Sequence, residues 1–131
     1  MSTLQTGRPG LTLPSDFNAK VFDSNEVVLF DLFRESLRAG SAMVEGRTFI
    51  NCRLDGPAVM AAVTGCEFDS TDFGYASGGV RAMIIRSAAP GRMIGALPFK
   101  DCKFIGCMFF AVGFTGPDPF LDQILALDTR A

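Results

Sequence analysis

From Leu97 to Gly116 the chain reads LPFKDCKFIGCMFFAVGFTG, and phenylalanine returns at every fifth position, as Phe99, Phe104, Phe109 and Phe114. Two places before each stands a small or apolar residue: Leu97, Cys102, Cys107 and Val112. A helix wants apolar residues three and four apart and a strand wants them two apart. A sustained step of five satisfies neither, so the backbone must turn once per unit and bring the same side of every unit inward. The phenylalanines then form the inside of a wall.

The step recurs in two other stretches. Arg47 to Gly56, RTFINCRLDG, holds units centred on Phe49 and Leu54 with Cys52 at the small position, and Cys66-Glu67-Phe68 followed by Thr71-Asp72-Phe73 resumes it. Seven of the thirteen phenylalanines and one leucine thus take central positions. Between the stretches, Gly56-Pro57 turns the chain into the apolar run Ala58 to Val63, which has the length of a strand. From Tyr75 to Pro98 the pattern lapses. Ser77-Gly78-Gly79 and Ala89-Pro90-Gly91 read as turns, and Val80 to Ile85 and Met93 to Leu97 as short β-rich runs.

Read as CKFIG, CMFFA and VGFTG, these units resemble the pentapeptide-repeat family, whose central residue is Phe or Leu and whose residue two before it is small. The resemblance covers residues 47–56, 66–75 and 97–116. It implies a mainly β fold, a short right-handed parallel β-helix spanning 47–116 as an irregular pentapeptide-type solenoid, with uneven turns at 57–65 and 76–96. The expected inward set is Phe49, Cys52, Leu54, Cys66, Phe68, Phe73, Phe99, Cys102, Phe104, Cys107, Phe109, Val112 and Phe114.

The flanks read differently. Residues 1–22 are rich in Gly, Pro, Ser and Thr and form an extended arm, which either stays free or lies on the body through Leu11, Leu13 and Phe17. Asp23 and Glu26 make a capping-box pair and Gly40 is a natural stop, so residues 23–40 hold a capping α-helix placed at about 24 to 39. Its Val27, Val28, Leu29, Phe30, Leu32, Phe33 and Leu37 ask for burial around most of its circumference. Residues 117–131 carry a short C-terminal helix, with Asp118 as cap and Pro119 at its first position. Phe120, Leu121 and Ile124 give this helix an apolar face, which covers an open end of the wall or packs on a second copy; in the resembled family such segments often mediate dimers.

At 131 residues and 48% hydrophobic, the chain suffices for one domain with its own core. It holds no apolar run of membrane-spanning length and Met1 to Gly10 lacks the pattern of a signal peptide, so a cytoplasmic location is the default expectation. The four cysteines at 52, 66, 102 and 107 lack zinc-knuckle spacing, and no histidine stands in the chain. They read as reduced, small inward residues, with a Cys102–Cys107 disulfide as the minor alternative. No metal, cofactor or membrane partner is expected.

Charge bears on the rest. The net charge is −2 with both signs interspersed, which does not mark a nucleic-acid-binding surface. Some members of the resembled family imitate duplex DNA and occupy type II topoisomerases, a task that demands an acidic rod. Residues 47 to 116 hold seven Lys or Arg against five Asp or Glu, which disfavours a DNA mimic here. An enzyme reading finds no histidine base and no phosphate-cradling loop. Asp69 with Asp72 is the one carboxylate pair for a small carbohydrate-cleaving β-helix enzyme.

The leading expectation is a non-enzymatic binding or assembly scaffold that works by protein–protein contact, as a homo-oligomer or with another protein. Ile105, Met108 and Phe110 occupy outward positions where polar groups are the rule, and with Phe120, Leu121 and Ile124 they form the candidate interaction surface.

Overall fold

The computed structural model describes residues 10–74, 84–85 and 95–126. Nine strands and two short helices follow one another there as β1 (Val21–Asp23), β2 (Glu26–Val28), α1 (Leu29–Arg38), β3 (Val44–Glu45), β4 (Thr48–Ile50), β5 (Arg53–Thr64), β6 (Glu67–Asp69), β7 (Leu97–Lys100), β8 (Lys103–Ile105), β9 (Met108–Thr115) and α2 (Asp118–Ala126). The five-residue step becomes three residues of strand and a two-residue corner. Corners open on a left-handed residue: Gly46 and Asn51, Gly65 and Ser70, then Asp101 and Gly106, each five after the last within its stretch; Ala111, five further on, takes the same conformation inside β9 where its register with β5 shifts. Gly, then Asn and Asp, tolerate that conformation best, since a Cβ otherwise crowds the following carbonyl.

All pairings between these strands are parallel. One sheet runs β1-β4-β8-β6; the second runs β2-β5-β7-β3, with β9 on β5. In-register rows bring like residues together. Phe22, Phe49, Phe104 and Phe68 lie in one column, with neighbouring ring centroids 5.0, 5.0 and 4.8 Å apart and nearly parallel planes. Leu54 pairs with Val27 on one side and Phe109 on the other, and Phe73 stacks on Phe109 at 5.9 Å. Offset stacks of this kind add to the burial of each ring.

A right-handed β-helix is overturned by the strand order. Such a fold lays down its turns in chain order, whereas here β8 lies between β4 and the earlier β6. Met60 and Ala61 of β5 pair with Leu97 and Pro98 of β7 on one edge and with Phe114 and Thr115 of β9 on the other. Strand β5 therefore passes between the two ends of the 97–115 turn. The fold is mixed α/β with two parallel sheets, one curled into a half-barrel, and short helices. The step of five sets the shape of each turn and carries no information about which turn lies on which.

The N-terminal helix is also corrected. It begins at Leu29, because Val21–Asp23 and Glu26–Val28 are strands around a corner at Ser24, whose φ is 57°. Asp23 accepts a hydrogen bond from the Ser24 hydroxyl, and α1 has no side-chain cap. Only one stripe of α1, Leu29, Leu32 and Ser36, is buried; Phe30 and Leu37 face outward. The arm crosses the β1–β2 corner, where Thr12 bridges Asn25 and Phe17 packs on the core while Leu13 is exposed. Most of the expected irregular segment at 76–96, with its turns at Ser77-Gly78-Gly79 and Ala89-Pro90-Gly91, falls outside the described residues, apart from a bridge between Ile84 and Phe114.

Candidate functional site

Inside the wall, the small positions are hydrogen-bond donors. Cys52 Sγ donates to the Phe22 carbonyl at 3.3 Å, Cys107 to Phe49 at 3.2 Å, Cys66 to Phe99 at 3.4 Å and Cys102 to Val44 at 3.6 Å. Thr71 Oγ1 does the same to the Phe104 carbonyl at 3.1 Å. In all five the acceptor lies on the neighbouring turn, three residues before the donor's register partner. The accepting residues all lie in strands of that turn, and each carbonyl has two lone pairs, one of which a small thiol or hydroxyl can reach. A thiol in this position is a structural donor as well as a small hydrophobe.

Three of the four thiols are pushed toward the protonated form, while the hydrogen bond with Cys107 draws Cys52 down to about 7. Burial pushes Cys102 up to about 11 and raises Cys66. Cys107 is driven up first by its hydrogen bond to Cys52 and then by burial. All four cysteines are free, so Cys102 and Cys107 are not joined. Among the described residues, no three His, Cys, Asp or Glu side chains converge to hold a metal ion.

The inward set divides by depth. Phe49, Cys52, Leu54, Phe73, Phe99, Cys102, Phe104, Cys107, Phe109, Val112 and Phe114 are buried, while Cys66 and Phe68 are half-buried near the β6 edge. The outward set does not form one surface. Leu121 and Ile124 are buried within this chain, and Phe120 lies half-buried with its ring 5.6 Å from that of Phe68. Helix α2 thus turns its apolar face onto the end of the wall beside β6. Ile105, 38% exposed, stands on β8 in the first sheet, whereas half-buried Met108 and exposed Phe110 stand on β9 in the second.

Around Phe110 the outer face is built from two rows. Val28, Asp55 and Phe110 are register partners across β2, β5 and β9, as are Glu26, Arg53 and Met108. Arg53 Nε meets Asp55 Oδ1 at 2.7 Å and its guanidinium lies 4.9 Å from the Phe110 ring centroid. Both charged side chains are largely buried, so the pair and the cation–π contact hold the ring in place. Phe110 remains 54% exposed, with partly exposed Val28 on the far side of Asp55 in the same row. Sequence reasoning named Phe110 from its outward position but missed Val28, which it assigned to a helix. Phe22 and Val27, five apart, carried the signal.

Two other places invite chemistry. An open groove of about 370 Å³ beside the end of α1 is lined by Lys20, Ser36, Glu45, Arg47 and Asp101. Its polar groups serve the fold: Arg47 Nη1 donates to the Phe17 and Ala19 carbonyls, and Ser36 Oγ lies 3.1 Å from those of Ser41 and Met43. Asp69 and Asp72, the carboxylate pair, are each engaged locally, Asp69 by the Ser70 hydroxyl and Asp72 by the Gly74 amide. Among the described residues no helix is long and apolar enough to cross a membrane. No protein-family model, no curated protein and no solved structure matches this chain.

Proposed function

We propose that this chain is a non-enzymatic scaffold that works by protein–protein contact, with a second copy of itself as the partner. The observation that carries the reading is Phe110, an aromatic ring 54% exposed on a sheet face and immobilised by Arg53 and Asp55. A ring already fixed in one position loses little entropy on docking, and aromatic and Arg side chains are the usual anchors of protein interfaces. Val28, two strands away across Asp55 in the same row, adds a second exposed apolar side chain to this face. Two such faces brought together around a two-fold axis would each cover the other's ring.

Light scattering across a concentration series tests this. The wild-type chain is expected to show the mass of an oligomer and Phe110→Glu that of a folded monomer, with an unchanged circular dichroism spectrum. A wild-type protein that stays monomeric at all concentrations, or an oligomer indifferent to Phe110→Glu, overturns the proposal.

A further inference from the structure

The two cysteine pairs of the wall are register neighbours. Thr64 pairs with Lys100 and Glu67 with Lys103, so Cys66 and Cys102 stand beside each other at the corners that lead into the paired parallel strands β6 and β8; Arg53 pairs with Met108, so Cys52 and Cys107 stand beside each other in the same way before β5 and β9. The hydrogen bond from the Glu67 amide to the Cys102 carbonyl, 2.9 Å long, fixes the first alignment. Adjacent strands place neighbouring Cα atoms about 4.8 Å apart, inside the window of about 4.4–6.8 Å that a disulfide spans. Access separates the pairs. Cys52, Cys107 and Cys102 are fully buried, whereas Cys66 is half-buried beside the edge strand β6 and is the thiol of the four that a small oxidant reaches first.

We infer that Cys66 and Cys102 are a site of reversible oxidative modification, closing an intramolecular disulfide when the protein meets a peroxide. The Cys66 sulfur already points toward the neighbouring turn, where it donates to the Phe99 carbonyl, while Cys102 donates away to the Val44 carbonyl and must rotate. In the first step the Cys66 sulfur attacks one peroxide oxygen, the O–O bond breaks, and a water leaves with the thiol proton, giving a sulfenic acid. In the second step the Cys102 sulfur attacks the Cys66 sulfur, the S–O bond breaks, and hydroxide leaves and takes up the Cys102 proton as the second water. Two thiols are oxidised to one disulfide and one peroxide is reduced to two waters. Burial keeps Cys66 protonated, so the reaction is slow and calls for hours of exposure. The product ties β6, the end strand of its sheet, to β8.

The full-length protein is treated with hydrogen peroxide, digested without reduction and mapped by mass spectrometry. A Cys66–Cys102 crosslinked peptide with two hydrogens lost, absent from Cys66→Ser and Cys102→Ser and retained in Cys52→Ser, is the expected result. The oxidised protein is further expected to melt at a higher temperature than the reduced one, with dithiothreitol reversing the gain. A crosslink at Cys52–Cys107 or between chains, or Cys66 carried on to a sulfinic acid with no crosslink, overturns the assignment. The serine variants keep a side-chain donor at the same place, and a circular dichroism spectrum and melt of each reduced variant check that it is folded before the crosslink is read.

Discussion

The β1-β4-β8-β6 sheet and the sheet built on β5 come from the same kind of sequence and differ in how often the chain turns. In the first, every strand is three residues long and the registers run without a break. In the second, β5 runs for twelve residues and its registers shift between Asp55 and Ala58 and again between Ala62 and Thr64. The reason is at the corners. Between Asn51 and Gly65 no residue takes a positive φ, so the turn expected at Gly56 is not made and the strand runs on. A missed corner changes more than strand length, because it carries β5 across from one side of the 97–115 turn to the other.

The regular sheet should depend most on its phenylalanine column. Phe104 is fully buried between Phe49 and Phe68. Phe104→Ala is expected to cost about 3–5 kcal/mol, as for a large aromatic removed from a packed core. Phe68→Ala, at the half-buried end of the same column, should cost clearly less, since its cavity opens toward solvent and α2 can settle into it. Urea denaturation of both variants reads the difference. Equal losses would mean that the column is not closed at the β6 end in the way described.

At the seam between the sheets, Cys102 gives a second lever. Burial raises its thiol from the ordinary 9.0 to about 11, so the folded chain holds this proton more tightly than the unfolded chain. Its contribution is fully present below about pH 9 and is lost as the pH rises through about 11, amounting to roughly 2–3 kcal/mol. Thermal melts between these pH values should fall steeply for the wild type and less steeply for Cys102→Ser. Cys66 and Cys107 are raised as well, so part of the slope should survive the substitution. Parallel pH curves for the two proteins would refute the assignment.

The irregular sheet should be sensitive to backbone approach in place of ring packing. A Cβ on Gly56 would strike the Ala111 carbonyl of β9, which is backbone and has little room to yield. Gly56→Ala is expected to destabilise by about 1–3 kcal/mol, the usual range for overpacking. Gly95→Ala provides a comparison, since nothing lies within 4 Å of its added methyl and only the positive φ opposes it. If Gly56→Ala proved as mild as a surface change, β5 and β9 would not approach each other as closely as their pairing requires.

Much of the core was legible because a period of five records which side chains turn inward, and the burial of Phe99, Phe104, Phe109 and Phe114 follows from that geometry. The order of the turns was not legible. Phe68 and Phe104 are equivalent in pattern, and what places Phe104 next to Phe49 is the route of β5, decided by long-range pairing at Met60 and Ala61. Phe22 and Val27 belonged to the pattern too, yet the Asp23 and Glu26 spacing also reads as a helix cap, and local chemistry alone does not choose between them. The candidate surface was half legible: outwardness at Phe110 follows from its neighbour Phe109 being inward, whereas the burial of Leu121 and Ile124 depends on where α2 lands.

Ala111 offers the smallest test and the one that isolates the left-handed conformation itself. It takes that conformation inside β9, φ 59°, where the corners five and ten residues earlier are held by Gly106 and Asp101. A Cβ in this region costs roughly 1–2 kcal/mol, while glycine gives part of that back by loosening the unfolded chain. Ala111→Gly is therefore expected to stabilise by about 0.5–1 kcal/mol, read as a small rise in melting temperature. The side chain of Ala111 is exposed, so no packing is lost to obscure the result. Asn51→Ala should run the other way by a similar amount, because it puts the same penalty on a corner of the regular stretch. If Ala111→Gly destabilised instead, the residue after Phe110 would not be left-handed, and the outward presentation of that ring would have to be rebuilt from a different backbone conformation.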